Sequence, residues 1–119
     1  MEERRSSGHR QEKIAQLVKE EVGKIILKDL DIDQNFLLTI TNVKVSSDLA
    51  HATISISTLT PEQEQEALAI LKANVRDIQR ALNRKMRTRP VPKIVFAIDL
   101  KYEREHRLHD ILSHLNEDQ

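Results

Sequence analysis

The chain has 119 residues, enough for one core and too few for two, and its 19 lysines and arginines balance 19 aspartates and glutamates. No cysteine is present, which excludes disulfides and thiolate metal sites, and the three aromatics are too few for a base-stacking platform. No apolar run approaches the roughly 20 residues that span a bilayer, and the polar start Met1-Glu2-Glu3-Arg4-Arg5-Ser6-Ser7 lacks the hydrophobic centre of a secretory signal. A cytoplasmic monomer without membrane contact is expected.

Residues 1–8 read as a disordered polar leader, 9–116 as one domain and 117–119 as a frayed end. Ile14, Leu17, Val18, Val22, Ile25, Ile26 and Leu30 follow the spacing of a helix with one buried face, from about His9 to Lys28. Asp29 to Asn35 is turn-prone, and Phe36 to Val45 reads as a strand. Leu38 and Ile40 have one parity and Val43 and Val45 the other, so a bulge near Thr41-Asn42 is expected to keep both pairs inward. Ser46-Ser47-Asp48 makes a turn into a second strand, Leu49 to Thr58. There Ala50, Ala52, Ile54 and Ile56 alternate with His51, Thr53, Ser55 and Ser57, which predicts a hairpin.

Thr60-Pro61 is a helix start, a capping residue before a first-turn proline, and Glu62, Glu64 and Glu66 suit the positive end of the dipole. A stripe of Ala67, Leu68, Leu71, Val75, Ile78, Leu82 and Met86 carries one long helix towards Pro90 and Pro92, which stop it. Lys93 to Asp99 forms a third strand with Ile94, Phe96 and Ile98 inward, and Leu108, Ile111, Leu112 and Leu115 mark a short C-terminal helix. A helix joining strands two and three makes them parallel. The fold class is therefore α+β, with a three-stranded mixed sheet covered by helices on one face. This order suits the type II K-homology (KH-like) arrangement.

The neutral total hides a strong asymmetry. Residues 72–93 contain eight cations and one acid, Asp77, for a local charge of +7 that leaves −7 on the rest. Lys72, Arg76, Arg80 and Arg84 recur every fourth position, which on one continuous helix makes a basic ridge, and Lys85, Arg87, Arg89 and Lys93 extend it. Arginine forks match phosphate oxygens, so the ridge points to a nucleic-acid face. A solvated helix face is the bland alternative, but such faces usually interleave signs. Asn74 sits beside these cations, where it either bonds RNA or is inert.

With only Gly8 and Gly23, no phosphate loop, dinucleotide fingerprint or G-x-x-G clamp can be written. His106, His109 and His114 with Asp110 lack the spacing of a zinc helix. Neither Glu103, Glu105 and Asp110 nor Ser46 and Asp48 have the partners a catalytic set needs. No cofactor, metal or enzymatic activity is implied.

Val45-Ser46-Ser47-Asp48-Leu49-Ala50-His51-Ala52 resembles the V-S-x-D-L-x-x-A hairpin signature of the ribosome-binding factor A family. Lys13 to Leu27 is similar to that family's first helix, Met86 to Phe96 to its R-L-R-x-V-P-E-L-x-F segment and Arg107 to Leu112 to its R-I-D-E-L-L tail. The resemblance implies a non-catalytic assembly factor that binds the immature small (30S) ribosomal subunit and its rRNA. It also implies promotion of 16S rRNA maturation, especially in the cold, and release by a partner GTPase. On this reading the RNA-binding residues are the cations Lys72, Arg76, Arg80, Arg84, Lys85, Arg87, Arg89 and Lys93 of the ridge, with Ala73 and Asn74 at the positions that match the family's A-x-G. Two departures stand out. Ala73-Asn74-Val75 replaces the family's kinked A-x-G, so either the long helix is straighter or Asn74 takes an unusual conformation. Asp29-Leu30-Asp31-Ile32-Asp33 replaces its D-P-R-L-G-like turn. The rival readings are an RNA-binding or ribosomal protein retained in the mature particle, a module for an acidic protein partner, and a small hydrolase.

Overall fold

The apolar stripe near the N-terminus seats the first element. In the computed structural model, which describes residues 2–30 and 37–101, α1 (Glu2–Asp29) buries Ile14, Val18, Val22, Ile25 and Ile26. Its backbone is helical from Glu2 rather than from about His9. No proline interrupts residues 2–10, and once packing has fixed one stretch of helix, each further residue adds a hydrogen bond without a new nucleation cost.

Strand β1 (Thr39–Val45) is shorter than the expected Phe36–Val45 because Leu37, at φ 47, lies outside strand geometry, while residue 36 lies outside the described residues. It pairs antiparallel with β2 (His51–Ser57), and the register slips between Ile40 and Asn42. The expected bulge is therefore present: Val43 and Val45 are buried and Leu38 and Ile40 half-buried against the same core. Thr41, the extra residue, donates its hydroxyl to the Asp99 carboxylate at 2.5 Å.

The hairpin turn is held by its own side chains. Ser46 donates to Asp48 Oδ1 at 2.6 Å, the same oxygen accepts the Ala50 N–H at 3.0 Å, and Ser46 Oγ accepts the His51 N–H at 3.0 Å. Leu49 takes φ 62, a turn conformation, so β2 begins at His51 and not at Leu49. The Ser46 hydroxyl first, and the Ala50 N–H second, hold the Asp48 carboxyl below its ordinary pKa. A depressed folded pKa contributes stability that is complete above the unfolded value and is lost as pH falls through the folded one. Ser46→Ala should therefore raise the Asp48 pKa towards the ordinary value and shrink the acid sensitivity of the hairpin. An NMR titration of Asp48 beside acid melts of both proteins checks this; an unchanged pKa would show that Ser46 is not the cause.

At the next junction, Thr60 Oγ1 accepts the Gln63 N–H at 3.2 Å and Pro61 opens α2 (Pro61–Ala73), as the capping pattern predicts. Glu64 departs from expectation. It is not a solvated first-turn carboxylate but is 3% exposed, and it accepts a hydrogen bond from Ser57, itself 2% exposed, at 3.3 Å. A buried acceptor needs a donor, so the in-and-out alternation of β2 ends at Ser57, whose side chain is drawn inside.

After α2 come α3 (Val75–Lys85) and β3 (Lys93–Ile98). β3 runs parallel to β2, with Ile54 opposite Phe96, giving the mixed sheet order β1-β2-β3. α1 packs on β1 and α3, while α2 and α3 pack on β3, so the described helices form one layer over one face of the sheet. Between layer and sheet lie Val18, Val22, Ile54, Ile56, Leu71, Ile78, Leu82 and Ile94, each essentially without solvent contact. The other sheet face presents Lys44, His51, Thr53, Lys93 and Val95. No helix among the described residues is long and apolar enough to cross a membrane. The expected C-terminal helix lies outside the described residues.

Candidate nucleic-acid interface

Where one long helix is expected, the structure has two, broken at Asn74 (φ −107, ψ 9). The helix is not straight, and Asn74 does take a non-helical conformation, in the sparsely populated bridge region and not at a positive φ. Its backbone N–H is shared between the carbonyls of Ile70 (3.1 Å) and Leu71 (3.2 Å), and its Nδ2 donates to the Ile70 carbonyl at 2.8 Å. Those bonds close α2. The Asn74 carbonyl then accepts the Ile78 N–H at 3.0 Å and opens α3. Val75 takes the first position of the new helix, where no glycine is needed.

The break corrects the ridge. Lys72 belongs to the last turn of α2, not to the helix of the arginines. Arg76, Arg80 and Arg84 remain on α3, and four-residue steps drift by about 40° each, so the three span an arc of roughly 80°. Ile78 and Leu82 bury the opposite side of the same helix, which fixes the arginines outward. Lys72, Ala73, Arg76, Arg80, Arg84, Lys85, Arg87, Arg89 and Lys93 are all exposed and Asn74 is half-buried. Among the described residues the one ion pair is Lys24 with Glu21, so no basic side chain of this stretch is tied to a described carboxylate.

Two members lie beyond the end of α3 and are placed differently. Arg89 donates from Nη1 to the Asn83 carbonyl at 3.3 Å, a bond back to the end of α3. Lys93 precedes Ile94, which faces the helices, so strand alternation sends Lys93 to the bare sheet face, opposite His51 in the register. The residues that share one face of α3 are thus Arg76, Arg80 and Arg84, with Lys72 and Asn74 at the break; Lys85, about 100° round the helix from Arg84, and the exposed Arg87 lie at its C-terminal end.

Gln79 escapes sequence reading altogether. Its Oε1 accepts the Ile94 N–H at 2.9 Å while its Nε2 donates to the carbonyl of Pro92 at 3.1 Å and to Asn83 Oδ1 at 3.1 Å. One carboxamide mimics a peptide unit and pairs with the outer edge of β3, fastening that strand to the basic helix. A polar residue between arginines gives no periodic signal of such a task.

A helix-covered mixed sheet with an exposed basic helix after a mid-crossover break defines a KH-like α+β module of the type II arrangement. The chain belongs to the ribosome-binding factor A family, whose sequence model matches residues 10–112. It is 36% identical over 107 residues to the ribosome-binding factor A of Pelodictyon phaeoclathratiforme, covering 87% of this chain and 89% of that protein. The crystal structure of ribosome-binding factor A from Thermus thermophilus is similar at a TM-score of 0.64 and 25% identity, over 74% of this chain and 94% of that one. A homology model of the Thermus thermophilus factor, as fitted into a cryo-EM map of a 30S–RbfA complex, shares the fold at a TM-score of 0.55 and 23% identity, over 76% and 91% of the two chains.

Proposed function

We propose that this chain binds the immature small (30S) ribosomal subunit by laying the basic face of α3 on its rRNA, and that it promotes 16S rRNA maturation in the cytoplasm without catalysing a reaction. It acts as a monomer, matters most in the cold and is released by a partner GTPase. One observation carries the reading: Arg76, Arg80 and Arg84 share an exposed face free of ion pairs within the described residues, in a chain whose remainder is net acidic. A remainder that is net acidic disfavours non-specific attraction of a polyanion, so the basic face of α3 orients the molecule as well as holding it. The Thermus thermophilus relative fitted into a 30S complex supports the choice of particle.

A salt titration with purified immature subunits tests the proposal. If Lys72, Arg76, Arg80, Arg84 and Lys85 each neutralise one phosphate, log affinity falls against log salt with a slope of roughly −3.5 to −4.5. A flat dependence would contradict the reading. Co-migration with translating ribosomes would favour a protein retained in the mature particle, and a nuclease-resistant complex would favour an acidic protein partner.

A further inference from the structure

The C-terminal end of α1 meets the flank of α3 and leaves a cleft of about 360 Å³. Its floor is apolar, made by the buried Ile25, Ile78 and Ala81. Its rim carries both signs. Asp29 comes from α1 and Asp77 from α3, with Arg80 and Arg84 one and two turns further along α3. All four charges are exposed, and none is ion-paired among the described residues. The carbonyl end of α1 adds further negative character beside Asp29.

This lining selects by elimination. A simple anion would meet two carboxylates and the negative end of a helix. A simple cation would meet two guanidinium groups. A purely apolar guest would strip water from four charges without replacing it. What satisfies every part of the lining is a flat apolar body with hydrogen-bond donors on one edge and an anionic group attached. An unstacked nucleotide has that constitution, and unpaired nucleotides are what proteins read in RNA. The volume lies near the lower limit of ligand pockets, roughly 300 to 1,000 Å³, and so suits one nucleotide rather than a stacked run.

The bases are not equivalent. Guanine presents two adjacent donors, its ring N–H and its exocyclic amino group, which one carboxylate accepts together. Adenine and cytosine place a ring acceptor beside their amino group, and uracil flanks its single N–H with two carbonyls; each aims a lone pair at a carboxylate oxygen. We propose that the cleft receives a single unpaired guanine nucleotide of RNA, with Asp77 or Asp29 reading the base edge and Arg80 and Arg84 holding its phosphate. The proposal rests on the reading that α3 meets RNA.

The experiment measures binding of the full chain to five hairpin RNAs that are identical except for one bulged position, which is guanine, adenine, cytosine, uracil or absent. The guanine bulge should bind on the order of tenfold more tightly than the others, the discrimination expected of a good bidentate contact. Asp77→Ala or Asp29→Ala should collapse that ratio towards one while the melting temperature stays near that of the parent, because both sites are exposed. Equal binding of all five RNAs with a steep salt dependence would overturn the guanine site and leave the α3 reading standing. Persistence of the guanine preference in both variants would also overturn it. Salt-insensitive binding, or none, would remove the α3 reading and the guanine site together.

Discussion

Replacing Arg76, Arg80 and Arg84 together by glutamate should weaken binding to immature small subunits by at least about a hundredfold near physiological salt. Each lost phosphate contact removes roughly 0.7 to 0.9 from the salt slope, so three remove about 2 to 2.7. Across the decade of salt between about 0.1 M and 1 M, that corresponds to two or more orders of magnitude in affinity. Sign reversal adds repulsion to the loss. The fold should survive, because all three side chains are exposed and substitutions at such sites usually change stability within about 0.5 kcal/mol. Lys93→Glu is the internal comparison: it makes one charge reversal within the same cationic stretch of sequence, but on the bare sheet face, and should cost far less than any one of the arginines. Sedimentation or a filter assay with purified subunits reads both. Near-parental binding by the triple variant would show that α3 is not the docking face.

Much of this arrangement is written in local chemistry. The stripe from Ile14 to Leu30, the parity slip at Thr41, the Ser46-Ser47-Asp48 turn and the Thr60-Pro61 start are each decided within a few residues, and each of these features is present, although the ends of α1, β1 and β2 differ from expectation. The failures share a different cause. Whether the cations at four-residue spacing form one ridge depends on whether the helix continues through Asn74, and the side-chain bond to the Ile70 carbonyl that helps end α2 competes with helix by only a small margin. Glu64 looks like any dipole-stabilising acid until the fold brings Ser57 against it. Gln79 acts on residues 13 and 15 positions away, beyond the reach of any periodicity. The separation of Lys93 is different, since the inward parity of Ile94 and Phe96 already assigns it to the far face; charge proximity in sequence masks a signal that strand alternation supplies.

Leu82→Ala should do the reverse of the arginine variant, lowering stability by about 3 kcal/mol while leaving the interface chemistry in place. Leu82 has no solvent exposure and lies on the core side of α3, so truncation removes its transfer free energy and leaves a void the helix layer cannot fully close. For a domain of this size that loss corresponds to a fall of roughly 10 to 15 °C in melting temperature. Below the lowered transition the helix persists and Arg76, Arg80 and Arg84 keep their charge and spacing. Binding there should stay within about threefold of the parent, since the population of native molecules remains near unity when several kcal/mol of stability are left. Thermal melts paired with binding measured well below the transition separate the two contributions. If Leu82→Ala lost binding as completely as the triple arginine variant while still folded, precise placement of α3 rather than its charge would be the dominant requirement. If it bound normally, the positive surface itself is what the partner recognises, and the buried side of α3 serves only to hold that surface outward.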